Sequence, residues 1–198
     1  MKRDSTKDKI LEAMYTLIAE KGYDKSSIGQ IADKIGIKKA SIYYYFASKE
    51  EIFLELVQDL YQDDFAGKIQ EIQTKKTVQD YQKAIVALGE DFIASYFENQ
   101  TLRKVYAEID IQTTRIPALQ TFAQEANRTL KNFLFQSLSY GVKIGAFLPD
   151  FDVEKNAQML YTILIGIDAA ILYDLPVEPE VVWNTSVGYL FAQKELQR

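Results

Sequence analysis

Apolar residues recur along this chain at helical spacing, and no segment sustains the two-residue alternation of a half-buried strand. That periodicity predicts an all-α fold. Ile10, Met14, Leu17 and Ile18 form the stripe of a first helix over 5–21, which Gly22 stops. Ser27 to Gln30 has the spacing of a capping box, so a second helix starts near Ser27 with Ile28, Ile31, Ala32 and Ile35 inward. Gly36, free to take the left-handed conformation, ends it. A third helix of about eight residues is expected from Lys38. Ser48 to Glu51 is a second capping box, opening a helix striped by Ile52, Phe53, Leu56 and Leu60. Residues 67–77 loosen the pattern and read as a connector. Further helices are predicted at 77–98, at 101–114, from Pro117 to Gly141 or Gly145, at 152–174 and at 178–196. Pro176 and Pro179 forbid continuity between the last two. The expectation is about nine helices.

Composition narrows the chemistry. The 198 residues include no histidine and no cysteine, which removes the commonest general base, the thiolate nucleophile and the commonest transition-metal ligands. No catalytic site, metal site or cofactor loop is expected. Lys7, Asp8, Lys9 and Glu12 interrupt any N-terminal apolar run, so no signal peptide is expected. The longest apolar run, 159–173, contains Asp168 and is shorter than the roughly 20 residues that a membrane span needs. The expected address is cytoplasmic, with no membrane partner. Net charge is −5, yet residues 1–50 carry ten Lys/Arg against seven Asp/Glu. A basic first quarter on an acidic body points to one polyanion-binding end.

Residues 27–49 describe two short helices joined by a glycine turn, a helix-turn-helix. At 3.6 residues per turn, Ile42 and Phe46 share the inward face of the third helix. Ala40, Ser41 and Tyr44 then lie on the opposite face, with Tyr43 on a flank and Lys38 and Lys39 at the N-terminal end. Small residues allow close backbone approach to a major groove, lysines reach guanine acceptors or phosphates, and tyrosine hydroxyls donate to phosphate oxygens. Lys49, next to the Ser48 cap, stands where a helix N-terminus and an ammonium together suit a phosphate. The alternative is an ordinary packing unit, an all-α protein-interaction module whose exposed tyrosines meet another protein.

At "SSIGQIADKIGIKKASIYYYFASKEEIF", residues 26–53, the chain resembles the N-terminal domain of the TetR family of bacterial transcriptional regulators. The resemblance runs from residue 7 to about 57. It implies that Ser27, Lys39, Ala40, Ser41, Tyr43, Tyr44 and Lys49 match DNA-contacting places. Two departures alter the base-reading end: Lys38 stands where many relatives have serine, and Ala40 where many have glycine. The implied partners are double-stranded DNA with a palindromic operator, a small-molecule effector and a second copy of the chain. The implied division is a DNA-binding domain over 1–47 and a ligand-binding and dimerisation domain over 48–198.

In the body the resemblance covers only helix number, helix lengths and the pattern at 145–173. The predicted 152–174 helix is apolar almost all round, so it must be covered on several sides. Gly166, Ala169, Ala170, Ser186, Gly188 and Ala192 would permit close helix contact, giving a four-helix dimer interface or, alternatively, a monomer core. Tyr81, Phe92, Tyr96, Tyr106 and Phe122 are candidate pocket aromatics by the resemblance; the same spacing suits plain core. Asp168, a carboxylate inside an apolar run, needs a partner. It is expected to hold a ligand amine, to bond across the dimer interface or to cap a neighbouring backbone.

Overall fold

The computed structural model describes residues 5–62 and 64–192, and among these every regular element is an α-helix. The order is α1 (Thr6–Lys21), α2 (Ile28–Ile35), α3 (Lys39–Ile42), α4 (Lys49–Leu60), α5 (Phe65–Thr74), α6 (Val78–Glu98), α7 (Gln100–Thr113), α8 (Pro117–Lys143), α9 (Val153–Leu172) and α10 (Pro179–Ala192). Residues 193–196 of the last predicted helix lie outside the described residues. No described helix is long and apolar enough to cross a membrane.

Two compact units result: Met1–Gln62 with Asn99–Gln124, and Asp63–Glu98 with Glu125–Arg198. The first is built around α1, which packs on α2, α4 and α7. Its core gathers Ile10, Met14, Ile31, Ile42, Phe46, Ile52, Phe53, Val105 and Ile109. Local chemistry sets the helix ends. Ser5 Oγ accepts from Asp8 N at 3.1 Å, and the Asp8 carboxylate accepts in return from Ser5 N. Ser27 Oγ accepts from Gln30 N at 3.3 Å, and Ser48 Oγ accepts from Glu51 N at 3.0 Å. Gly36 takes φ 71 and ψ 32, and Ile37 N closes back on Ala32 O at 3.0 Å, satisfying carbonyls at the end of α2.

In the second unit α10 packs on α6 and α9. Trp183 is completely buried, donating Nε1–H to Val86 O at 2.8 Å. Gly89 permits this crossing, since a Cβ there would lie 2.1 Å from the indole.

Two expectations are corrected. The segment read as a connector at 67–77 is largely a helix, α5, and the described residues hold ten helices in keeping with the about nine expected. Asp64 caps it by accepting from Gly67 N at 2.8 Å, Phe65 packs against Phe133 with centroids 4.9 Å apart, and Ile72 is buried. Tyr140 Oη lies 2.8 Å from the carbonyl oxygens of Gln73 and Lys75, tying down its end. The third helix is also shorter than expected. α3 closes at Ile42, and the chain continues in turns, with Tyr45 N and Phe46 N both donating to Ile42 O.

Candidate nucleic-acid interface

Ile42 and Phe46 are buried in the core of the first unit, which leaves the intervening side chains of a short, tightly wound segment facing out. Ser27, Lys38, Lys39, Ala40, Ser41, Tyr43 and Tyr44 are all exposed, Tyr44 to 85%. Adjacent exposed aromatics, rather than single ones, mark a candidate contact surface, and Tyr43 and Tyr44 are such neighbours. Among the described residues neither the Lys38 nor the Lys39 ammonium forms an ion pair, so both charges are available to a polyanion.

One exposed aromatic was not singled out in the sequence. Tyr45 is 38% exposed and meets Tyr44 edge-on, with centroids 5.1 Å apart. Extrapolating a regular helix past Ile42 hides it; the turns that replace the helix rotate it outward.

Lys49 is different from the other seven. Its Nζ donates to Tyr23 O at 3.0 Å and to Ser26 O at 3.2 Å, and it stands 3.8 Å from the Tyr23 ring centroid. Burial lowers the pKa of this ammonium, while Asp24 and Glu108 act in the opposite sense. The N-terminus of α4 is occupied as well, by the Ser48 hydroxyl, while the Glu51 carboxylate accepts from Ala47 N. The phosphate-holding geometry expected for Lys49 is therefore taken up by the protein itself. Its acceptors are backbone carbonyls far back in the chain, which have no signature in the residue types.

The six candidate pocket residues fall into three groups. Phe92 and Tyr96 meet with centroids 5.2 Å apart, and the Tyr96 hydroxyl donates to Asp168 Oδ1. Tyr81 sits eleven residues before Phe92 on α6, roughly 16 Å along the helix at 1.5 Å per residue. It is fully buried beside Tyr140, Phe147 and Phe191, donates to Ser137 O at 2.9 Å, and is held protonated by that burial. Tyr81 is thus a core residue. Tyr106 and Phe122 belong to the first unit, where both pack edge-on against Tyr61.

A helix-turn-helix whose outer face is unpaired lysine, small residues and tyrosine defines a DNA-binding regulator of the all-helical class. The comparisons agree. Residues 10–56 match the family model described as bacterial regulatory proteins, tetR family. The chain is 27% identical over 155 residues to the HTH-type transcriptional repressor KstR2 of Mycolicibacterium smegmatis, covering 76% of this chain and 71% of that protein. A TetR transcription regulator from Haloarcula marismortui shares the fold, with TM-score 0.77, 22% identity and coverage of 94% and 96% of the two chains. So does the transcriptional regulator FadR from Bacillus subtilis, solved in complex with stearoyl-CoA, with TM-score 0.72, 21% identity and coverage of 93% and 97%. Residues 10–56 therefore match the DNA-binding domain of the TetR family of bacterial transcriptional regulators, and the described chain has the fold of such regulators.

Proposed function

We propose that this regulator is a cytoplasmic, homodimeric repressor that leaves a palindromic operator when its body binds a small molecule. The observation that carries the DNA-reading half is the exposed face formed by Lys38, Lys39, Ala40, Ser41, Tyr43 and Tyr44 on a buried Ile42–Phe46 base. Ser27, at the start of α2, adds a hydroxyl beside it. Two such faces related by a two-fold axis would enter major grooves about 34 Å apart, one helical turn.

The second copy is supported by the outer face of α9. Ala157, Leu160, Leu164, Ile167, Ala170 and Ile171 are buried within the unit. On the other side Lys155, Gln158, Met159, Thr162 and Ile163 line a shallow groove, and Ile165 is 40% exposed. On α10, Val181 and Tyr189 are exposed too. A Cβ added at Gly166 or Gly188 would meet nothing, so at both positions a partner helix has room to approach closely. An apolar, small-residue face on two adjacent helices fits a copy of itself.

For the effector, the Phe92–Tyr96–Asp168 group of the second unit and the Tyr61–Tyr106–Phe122 group of the first offer aromatic surface with few polar atoms. FadR and the repressor KstR2 support a ligand-responsive repressor as the reading for this chain. The test is enrichment of duplexes by the purified chain from a random-sequence pool. The reading requires a palindrome, bound by two chains; an enriched site without two-fold symmetry, or none at all, counts against it.

A further inference from the structure

Between α1 and α2 the chain makes a tight loop whose carbonyls point at a side chain from a distant helix. Ser26 N donates to Tyr23 O at 3.0 Å, and Ser26 Oγ donates to Gly22 O at 2.8 Å. The Lys49 ammonium then bonds the Tyr23 and Ser26 oxygens. The Tyr23 ring meets both that ammonium and the Phe53 ring, whose centroid is 4.6 Å away. Two of the three donors of Lys49 thus go to carbonyls, and an aromatic face covers much of the rest.

Helix α7 backs the same loop. A Cβ on Gly22 would stand 3.0 Å from Glu108 Oε2, and Gln112 Nε2, buried, donates to Glu108 Oε1 at 2.9 Å. Asp24 in the loop receives Arg115 Nη1 at 3.1 Å. Burial works against the charged form of Lys49, while Asp24 and, to a lesser extent, Glu108 favour it.

The geometry points to Lys49 as a positioning residue: it sets the orientation of the DNA-reading helices through the α1–α2 loop, which Glu108 backs at Gly22. Ser26 directly precedes the Ser27 cap of α2, and Lys49 opens α4. The Lys49–Ser26 bond, across a sequence separation of 23, therefore closes a segment that contains all of α2, the Gly36 turn and α3. Fixing both ends of that segment fixes the face that Lys39, Ser41 and Tyr44 present. The inference rests on the DNA-reading role of that face, and it assigns Lys49 no phosphate.

The experiment uses the full chain and the duplex that the wild type enriches from a random pool, titrated over a range of salt concentrations. The variants are Lys49→Met, Glu108→Gln and the double substitution, with circular dichroism as the folding check. Lys49→Met should weaken binding by about tenfold, equivalent to about 1.4 kcal/mol, while the slope of log affinity against log salt stays at the wild-type value. Glu108→Gln should weaken binding several-fold with the same slope, and the double variant should bind no worse than Lys49→Met, because one device is broken twice. A slope flattened by about 0.9 per subunit in Lys49→Met makes Lys49 a phosphate ligand and overturns the inference. Additive losses in the double variant also overturn it. Where Lys49→Met fails to fold, Glu108→Gln decides: weaker binding at constant slope supports the clasp, and unchanged affinity refutes it. A wild type that enriches no duplex overturns this inference and the DNA-reading function together.

Discussion

Tyr96 on α6 donates its phenolic hydrogen to Asp168 Oδ1 on α9, so the one carboxylate inside the apolar run of 159–173 is bonded within its own unit. Tyr96 is buried and Asp168 half-buried, which places the bond away from bulk water. Tyr96→Phe removes the donor and should lower stability by about 1–3 kcal/mol, read as a shift in the urea midpoint. Asp168→Asn keeps an acceptor and should cost less. The reverse order would mean that the carboxylate's principal partner is elsewhere.

Gly89→Ala on α6 should also destabilise the chain, although alanine is the better helix former. The new methyl meets the Trp183 indole at 2.1 Å, and Trp183 is completely buried with its N–H committed to Val86. Overpacking of this kind costs about 1–3 kcal/mol. Trp183 is the only tryptophan, so its emission reports the site directly: a red shift with reduced stability is expected, and an unchanged spectrum at full stability contradicts the packing described.

Tyr23 gives a pH signature to the first unit. Burial, with Glu50 and Asp24 nearby, raises its phenol from 10.0 to about 12. A raised pKa means that the folded state binds the proton more tightly, so the contribution is complete below pH 10 and is lost as pH climbs toward 12. Wild type should therefore lose stability relative to Tyr23→Phe between pH 8 and pH 12, by at most about 2 kcal/mol after solvent screening. A difference that stays constant with pH would show that Tyr23 titrates alike in both states.

Gly166→Arg tests the α9 face. The position opens onto space in the single chain, so the helix itself should tolerate the side chain and keep its helicity. A copy packed on that face would not. The expected result is a folded chain whose mass by light scattering is half that of the wild type. A variant of unchanged dimeric mass places the interface elsewhere.

What was legible in the sequence was whatever local chemistry decides. Ser27, Gly36 and Ser48 act on backbone groups within a few residues, and their helix ends fall where capping rules put them. The burial of Ile42 and Phe46 follows from spacing alone. α5 was illegible because Gly67 weakens it locally and Phe133, distant in sequence, supports it. The bonds of Lys49 are illegible for the same reason, its acceptors being carbonyls of another segment. Tyr81 and Tyr96 stand at equivalent helical spacing, yet one fills a core and the other bonds a carboxylate. Periodicity cannot separate them, since it reports which face is buried and not what lies opposite.

The central claim is that the face carrying Lys39 touches DNA phosphates or bases directly, and its most direct test is the salt dependence of binding to the enriched duplex. Lys39→Ala should weaken binding and flatten the slope of log affinity against log salt by about 1.8 per dimer if both ammonium groups neutralise phosphates. If they read bases instead, discrimination should relax at one position of each half-site. A Lys39→Ala protein with wild-type affinity, slope and sequence preference would contradict the account.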